Sequence, residues 1–358
     1  MARLKSRRGF LETLAFLLMA LPLSLIVAVA FGTNPLPLEQ VRAVFRGELA
    51  HLLTGAPFPA GLGPGSAVHD VVWLIRLPRL VLAVAVGGCL SLSGVAMQAV
   101  VQNPLADPYV LGISSGASFG ATLALLLGTG AVLGGNFVGI TAFLGALGAS
   151  FAVVFLASLG GRANAVKLLL AGTAVSSVCG AFSNFLIYRA DADHAVSQVA
   201  RWTMGSLAAA SWPVNGVLAA VALAGAAFFL TQCRALNLML LGDDTAVTLG
   251  ADLHRRRVAY LAVSALMTGF AVWAAGIIGF VGLVVPHVVR MLFGTDHRRL
   301  VPLSALTGGL FLLWADVLCR VVLPGNELPI GILTSMLGAP VFLFLMARNR
   351  YGFGGGVS

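Results

Sequence analysis

The chain has 358 residues, of which 59% are hydrophobic and only 10% charged, against about 25% charged in an ordinary soluble domain. With a mean hydropathy of +0.96, this excludes a water-soluble globular fold and leaves an all-α integral membrane protein of many spans. The formal net charge of +9 would suit nucleic acid in a soluble protein, but here the arginines cluster in alternate loops, as the positive-inside rule requires, so no nucleic-acid partner is expected.

Arg3, Lys5, Arg7 and Arg8 precede an apolar run over 10–31. Ala28-Val29-Ala30 has the form of a signal cleavage site, but the run exceeds the roughly 7–15 residues of a signal core, so it reads as a retained first span. Residues 32–75 are rich in Pro and Gly. Within them Leu38, Val41, Phe45, Leu49 and Leu52 recur at intervals of three or four, which predicts an amphipathic helix on the membrane or against the spans. Further spans are predicted near 80–102, 110–127, 137–159, 167–188, 212–232, 258–276, 278–293, 302–321 and 330–347, on the rule that about 20 apolar residues cross a bilayer. Spans seven and eight join tightly at Gly276, and residues 189–211 form a polar connection. The glycine-rich tail over 351–358 is expected to be disordered. About ten spans in a single membrane domain over 1–358 put both termini on one side. Most of the 22 Lys and Arg residues fall in the loops of that side, which makes it cytoplasmic.

Absent motifs narrow the chemistry. A nucleotide-binding P-loop needs GxxxxGK[ST], yet neither lysine, Lys5 or Lys167, follows a glycine. There is no HExxH, and Cys89, Cys179, Cys233 and Cys319 are widely separated, so no metal or redox site and no catalytic residue are expected. The acids lie in loops or at span ends, Asp316 among them, which argues against a proton relay. Asp191, Asp193 and His194 read as a solvated loop rather than a cation site, and His287 after Pro286 as structural.

Other stretches carry positive signals. Arg76-Leu77-Pro78-Arg79 opens the second span, whose Gly87, Ser91 and Gly94 share one face and admit a close helix neighbour. Asn103-Pro104-Leu105-Ala106-Asp107-Pro108 then breaks it, because two prolines four apart each lack a donor. Arg76, Arg79 and Arg320 defy the charge rule at the outer ends of their spans, so they snorkel to headgroups or meet a partner. Along the fifth span Gly172, Ser176, Gly180, Ser183 and Asn184 form a small, weakly polar face, suited to close packing or to a water-lined path. Ala235–Arg257 contains two short helical pieces, about 236–241 and 244–250, parted by Gly242-Asp243.

Together the RLPR entry, the NPLADP break, the LGISSGA restart, LGDDTAVTLG, GFVGLVVPHVVR, ELPIG and TSMLGAPVF closely resemble the FecCD-type permeases of bacterial ABC importers, over about residues 70–347. The resemblance implies a type II ABC importer permease in the bacterial inner membrane, acting as a homodimer. Its partners would be two cytoplasmic ATPases and a periplasmic binding protein, with ATP and magnesium on the ATPases and no cofactor on this chain. By the same resemblance Arg76, Arg79 and Arg320 receive carboxylates of the binding protein. Leu241, Gly242, Asp243, Asp244, Thr245, Leu249 and Gly250 couple to the ATPases. Gly172, Ser176, Gly180, Ser183 and Asn184 line the path, and Asn164, Ala165 and Val166 sit where the inner gate lies, less polar than in cobalamin permeases. The expected cargo is an iron chelate, ferric siderophore or haem, with cobalamin the alternative. No His, Tyr or Met ladder singles out haem. A stand-alone secondary transporter is the reading from a different class.

Overall fold

The computed structural model describes residues 6–32, 34–59, 61–128, 136–159, 164–190, 192–242, 253–323 and 325–348, and among them all regular structure is helical. In chain order the helices are α1 (Arg7–Ala30), α2 (Leu38–Thr54), α3 (Ala67–Asp70), α4 (Leu77–Val100), α5 (Ile113–Leu127), α6 (Phe137–Ser158), α7 (Ala165–Arg189) and α8 (Ala192–Thr203). They continue as α9 (Trp212–Thr231), α10 (Cys233–Met239), α11 (Leu253–Ala275), α12 (Val281–Phe293), α13 (His297–Val321) and α14 (Ile330–Arg348). A π-helical stretch, Val71–Arg76, runs α3 into α4, and a 3-10 turn, Pro108–Leu111, precedes α5.

Helix α4 is the axis of the bundle. All but two of its residues are buried, and it packs against α9, α11, α12 and α13. Its small face does what the sequence predicts. A Cβ on Gly87 would fall on the carbonyl of Gly308 in α13, and one on Gly94 on the carbonyl of Gly282 in α12. In lipid, where the hydrophobic effect does not draw helices together, such backbone approach is a main source of cohesion. Polar ties reinforce it: Ser93 Oγ donates to Ser264 O at 3.3 Å, Gln98 Nε2 to Leu283 O at 3.1 Å, and Asn215 Nδ2 of α9 to Pro78 O at 2.8 Å.

Each of the ten predicted spans finds a helix, but two of these helices are too short to cross a bilayer by themselves. Helices α5 and α12 have 15 and 13 residues, hence lengths of about 22 and 20 Å, short of the roughly 30 Å hydrocarbon core. Both begin at half height. The turn before α5 stands beside Ala149 of α6 and Val175 of α7, near the middle of each. Helix α12 starts against Leu90 and Gly94, the middle of α4. The prolines of the 103–108 break hold the chain open before α5. Gly276 does not make the predicted tight join: residues 276–279 carry no helical turn, and α12 starts only after Phe280.

The segment between α1 and α4 contains the expected amphipathic helix, α2. Val41 is buried and Phe45 packs edge-on to Trp73, with ring centroids 6.1 Å apart, while Leu49, Leu52 and Leu53 are exposed. Half of its apolar face therefore meets protein and half does not. His69 ties it down, with Nε2 2.7 Å from Glu48 Oε1 and Nδ1 3.1 Å from Asp70 Oδ1. The polar connection over 189–211 contains a helix, α8.

Candidate functional site

Three clusters of polar side chains stand at the two ends and the middle of the bundle, the ends being called outer and inner after the sides expected from the loop charges. At the outer end, Arg79 Nε donates to Asp316 Oδ1 at 2.7 Å and its Nη1 to Glu327 Oε2 at 2.7 Å. Arg320 Nε lies 3.1 Å from Asp316 Oδ2, and Arg320 Nη1 donates to Phe31 O at 2.8 Å. Arg76 Nη1 donates to Val29 O at 2.9 Å and to Ala30 O at 3.2 Å, and its Nη2 reaches Asn34 O. These guanidiniums satisfy carbonyls at the C-terminal end of α1 that no helical N–H can reach, and their charge suits that pole.

The sequence treats the three arginines as uncompensated, and the structure corrects this for Arg79 and Arg320, whereas Arg76 bonds carbonyls alone. Asp316, fully buried, lies between Arg79 and Arg320, and Glu327 closes the network from the next loop. All three arginines are buried, whereas the Glu327 side chain is 43% exposed. The Asp316–Arg320 spacing of four along one helix was a readable signal. Glu327, distant in sequence from Arg79, was not.

At mid-height a cavity of 480 Å³ opens between α5, α7 and α8. Its polar lining is Ser114, Ser115 and Ser118 of α5, Ser183 and Asn184 of α7, and Thr203 of α8. Of the five predicted path residues, Gly180, Ser183 and Asn184 line it, and Gly172 and Ser176 do not. Gly172 is buried in packing, and Ser176 faces the turn at Gly112. That turn needs φ +72°, a conformation open to glycine at little cost. A residue missed from the sequence locks the region: Tyr109 Oη donates to Ile278 O at 3.2 Å and accepts from Ile278 N at 3.3 Å. It staples the turn before α5 to the non-helical chain before α12.

At the inner end, α10 is tied to two neighbours. Asn237 Nδ2 donates to Asp296 Oδ1 at 2.8 Å, and His297 N donates to Asn237 Oδ1 at 2.9 Å. Gln102 Nε2, just past α4, donates to Met239 O at 3.0 Å. Burial pushes the Asp296 carboxyl up, but the bonds from Asn237 and the Arg298 N–H, with the charges of Arg298 and Arg299, outweigh it and hold it below the ordinary carboxylate range. Of the predicted coupling residues, Leu241 is exposed and Gly242 takes φ +92°. Asp243, Asp244, Thr245, Leu249 and Gly250 lie outside the described residues, as does the tail over 351–358. Among the gate residues, Asn164 caps α7, its Oδ1 accepting from Lys167 N at 2.9 Å; Ala165 starts the helix, and Val166 is exposed. Among the described residues no cluster of His, Cys, Asp and Glu has the form of a metal site.

The chain is similar to known transport proteins over nearly its whole length. The model of the FecCD transport family matches residues 18–348. The hemin transport system permease of Yersinia pestis is 44% identical over 78% of this chain and 84% of its own length. The cobalamin import system permease of Halobacterium salinarum is 38% identical, covering 91% of this chain and 93% of its own length. A solved structure of a metal-chelate type ABC transporter in an inward-facing conformation superposes with a TM-score of 0.78 at 27% identity, covering 94% of this chain and 99% of that one.

Proposed function

Because the chain belongs to the FecCD transport family and is a multi-pass ABC importer permease, we propose that it carries an iron chelate, ferric siderophore or haem, into the cytoplasm by alternating access. The observation that carries this reading is α7. It is apolar enough to span a membrane, yet only 11% of its most apolar window is buried, and the weakly polar Asn184 is exposed on it beside the 480 Å³ cavity. A helix of that kind is suited to face a second copy of the chain across a passage rather than lipid alone. Relatives named for hemin and cobalamin import support a bulky metal complex as cargo.

The remaining parts of the proposal follow from where the clusters sit. The membrane is the bacterial inner membrane, and both termini are cytoplasmic. Two ATPases carry the ATP and magnesium, since this sequence has no P-loop. They act on the 235–257 segment. Helix α10 at its base is bonded to the end of α4 and to the start of α13, so a push there reaches the central axis. Asn164, Ala165 and Val166, at the start of α7, form the inner gate. Arg76 and Arg320 hold the end of α1. A carboxylate of the periplasmic binding protein reaches Arg79 by displacing the half-exposed Glu327.

The test is uptake in a strain lacking this chain, offered labelled haem iron, ferric siderophores and cobalamin, with and without ATP depletion. Loss of one ATP-dependent iron-chelate uptake is the expected result. Loss of cobalamin uptake alone would overturn the cargo. Restored uptake that ignores ATP depletion and collapses with the ion gradient would point to a secondary transporter instead.

A further inference from the structure

We propose that the mid-height cavity is an oxyanion station: a point at which the wall of the passage holds a carboxylate of the cargo through the start of α5 and the hydroxyl of Ser183. This deepens the importer reading and rests on it for what brings the ligand there. Helix α5 is 15 residues long and starts beside the middle of α6 and α7. Its first-turn N–H groups have no partner within the helix, and the helix dipole leaves partial positive charge there. Ser114 and Ser115 of that first turn, with Ser118 one turn on, line the cavity.

The second observation is independent. Ser183 comes from a different helix, is 6% exposed, and lines the same cavity, yet among the described residues its Oγ has no hydrogen-bond partner. A buried hydroxyl left unpaired is unfavourable, and a ligand acceptor arriving there would relieve it. Among the described residues no Asp, Glu, Lys, Arg or His lines the cavity. That described lining offers a bare metal cation no charged ligand and sets no fixed negative charge against a carboxylate. The Asn184 amide adds a further donor at its edge. The Tyr109–Ile278 staple keeps the arrangement in place, since Ile277, next to the bonded residue, is itself part of the lining. A volume of 480 Å³ suits one arm or edge of a bulky chelate.

The experiment uses the full chain in nanodiscs, with retention by empty nanodiscs subtracted. The probes are iron protoporphyrin IX, which carries two carboxylates, and its dimethyl ester, which has the same ring with both blocked. Wild type should retain the diacid roughly tenfold better than the diester, the discrimination that about one net hydrogen bond supplies. Ser183→Val should remove most of that preference, and Ser183→Thr, which keeps the hydroxyl, should preserve it. Equal retention of diacid and diester overturns the proposal. So does retention of neither, or a preference that survives Ser183→Val. Each of these leaves the uptake result, and with it the importer reading, standing.

Discussion

Helices α4 and α7 look alike as strings of apolar and small residues, yet they do opposite work. The span containing α4 is 89% buried over its most apolar window, and that of α7 is 11%. Glycines on α4 are filled by neighbouring backbone, whereas Gly180 on α7 has nothing within 4 Å of where a Cβ would stand. The same residue type thus marks cohesion in one helix and open space in the other. Hydropathy and spacing give the face; only the neighbours say what the face is for.

The sharpest way to break this comparison is a matched pair of substitutions. Gly94→Ala puts a methyl group onto the backbone of Gly282, which cannot move without shifting α12. The cost should be at or above the upper end of the ~1–3 kcal/mol of ordinary overpacking, and little folded protein should accumulate in membranes. Gly180→Ala meets nothing and should change stability by less than about 0.5 kcal/mol. Equal behaviour of the two variants in detergent melting would refute the contrast between hub and wall.

Next in size is Asp316→Ala, which strands Arg79 and Arg320 without their shared carboxylate. Removing one partner from a buried ionic group costs about 3–5 kcal/mol, read as a large drop in melting temperature. Glu327→Gln, at the exposed edge of the same network, should cost less than about 1 kcal/mol. It should also strengthen capture of the binding protein, since it frees Arg79. Unchanged or weaker capture would remove the exchange at Arg79. Tyr109→Phe deletes only the staple to Ile278 and should cost about 1 kcal/mol, with the loss seen as faster hydrogen exchange at residues 276–280. The smallest effect is at acid pH. The Asp296 carboxyl sits below its ordinary range in the folded chain, so its contribution is present above that range and fades as pH falls through the depressed value. Asp296→Asn should flatten that acid dependence in a melting-temperature series.

Much of this was readable from residues alone. The ten apolar runs each became a helix because lipid leaves the backbone no other way to satisfy its hydrogen bonds. The Gly87-Ser91-Gly94 face and the 103–108 break held for the same local reasons. What escaped was set by contacts distant in sequence. Nothing in the run over 278–293 says that it starts at half height; that follows from Gly282 meeting Gly94. Arg79 reads as an unpaired charge until Asp316 and Glu327, more than 200 residues on, are folded against it. Ser176 and Ser183 lie on one helix and look equivalent, yet only Ser183 lines the cavity, because the neighbouring turn at Gly112 takes up Ser176.

The central claim is that the open face of α7 borders the passage. The most direct measurement is chelate uptake by the deletion strain carrying wild type or Gly180→Trp, with membrane levels of both measured by immunoblot. A Cβ at that position meets nothing within 4 Å and the position lines the cavity, so the variant should reach wild-type abundance while its ATP-dependent uptake falls to the level of the empty strain. Uptake by Gly180→Trp at the wild-type rate would contradict the account and place the passage elsewhere.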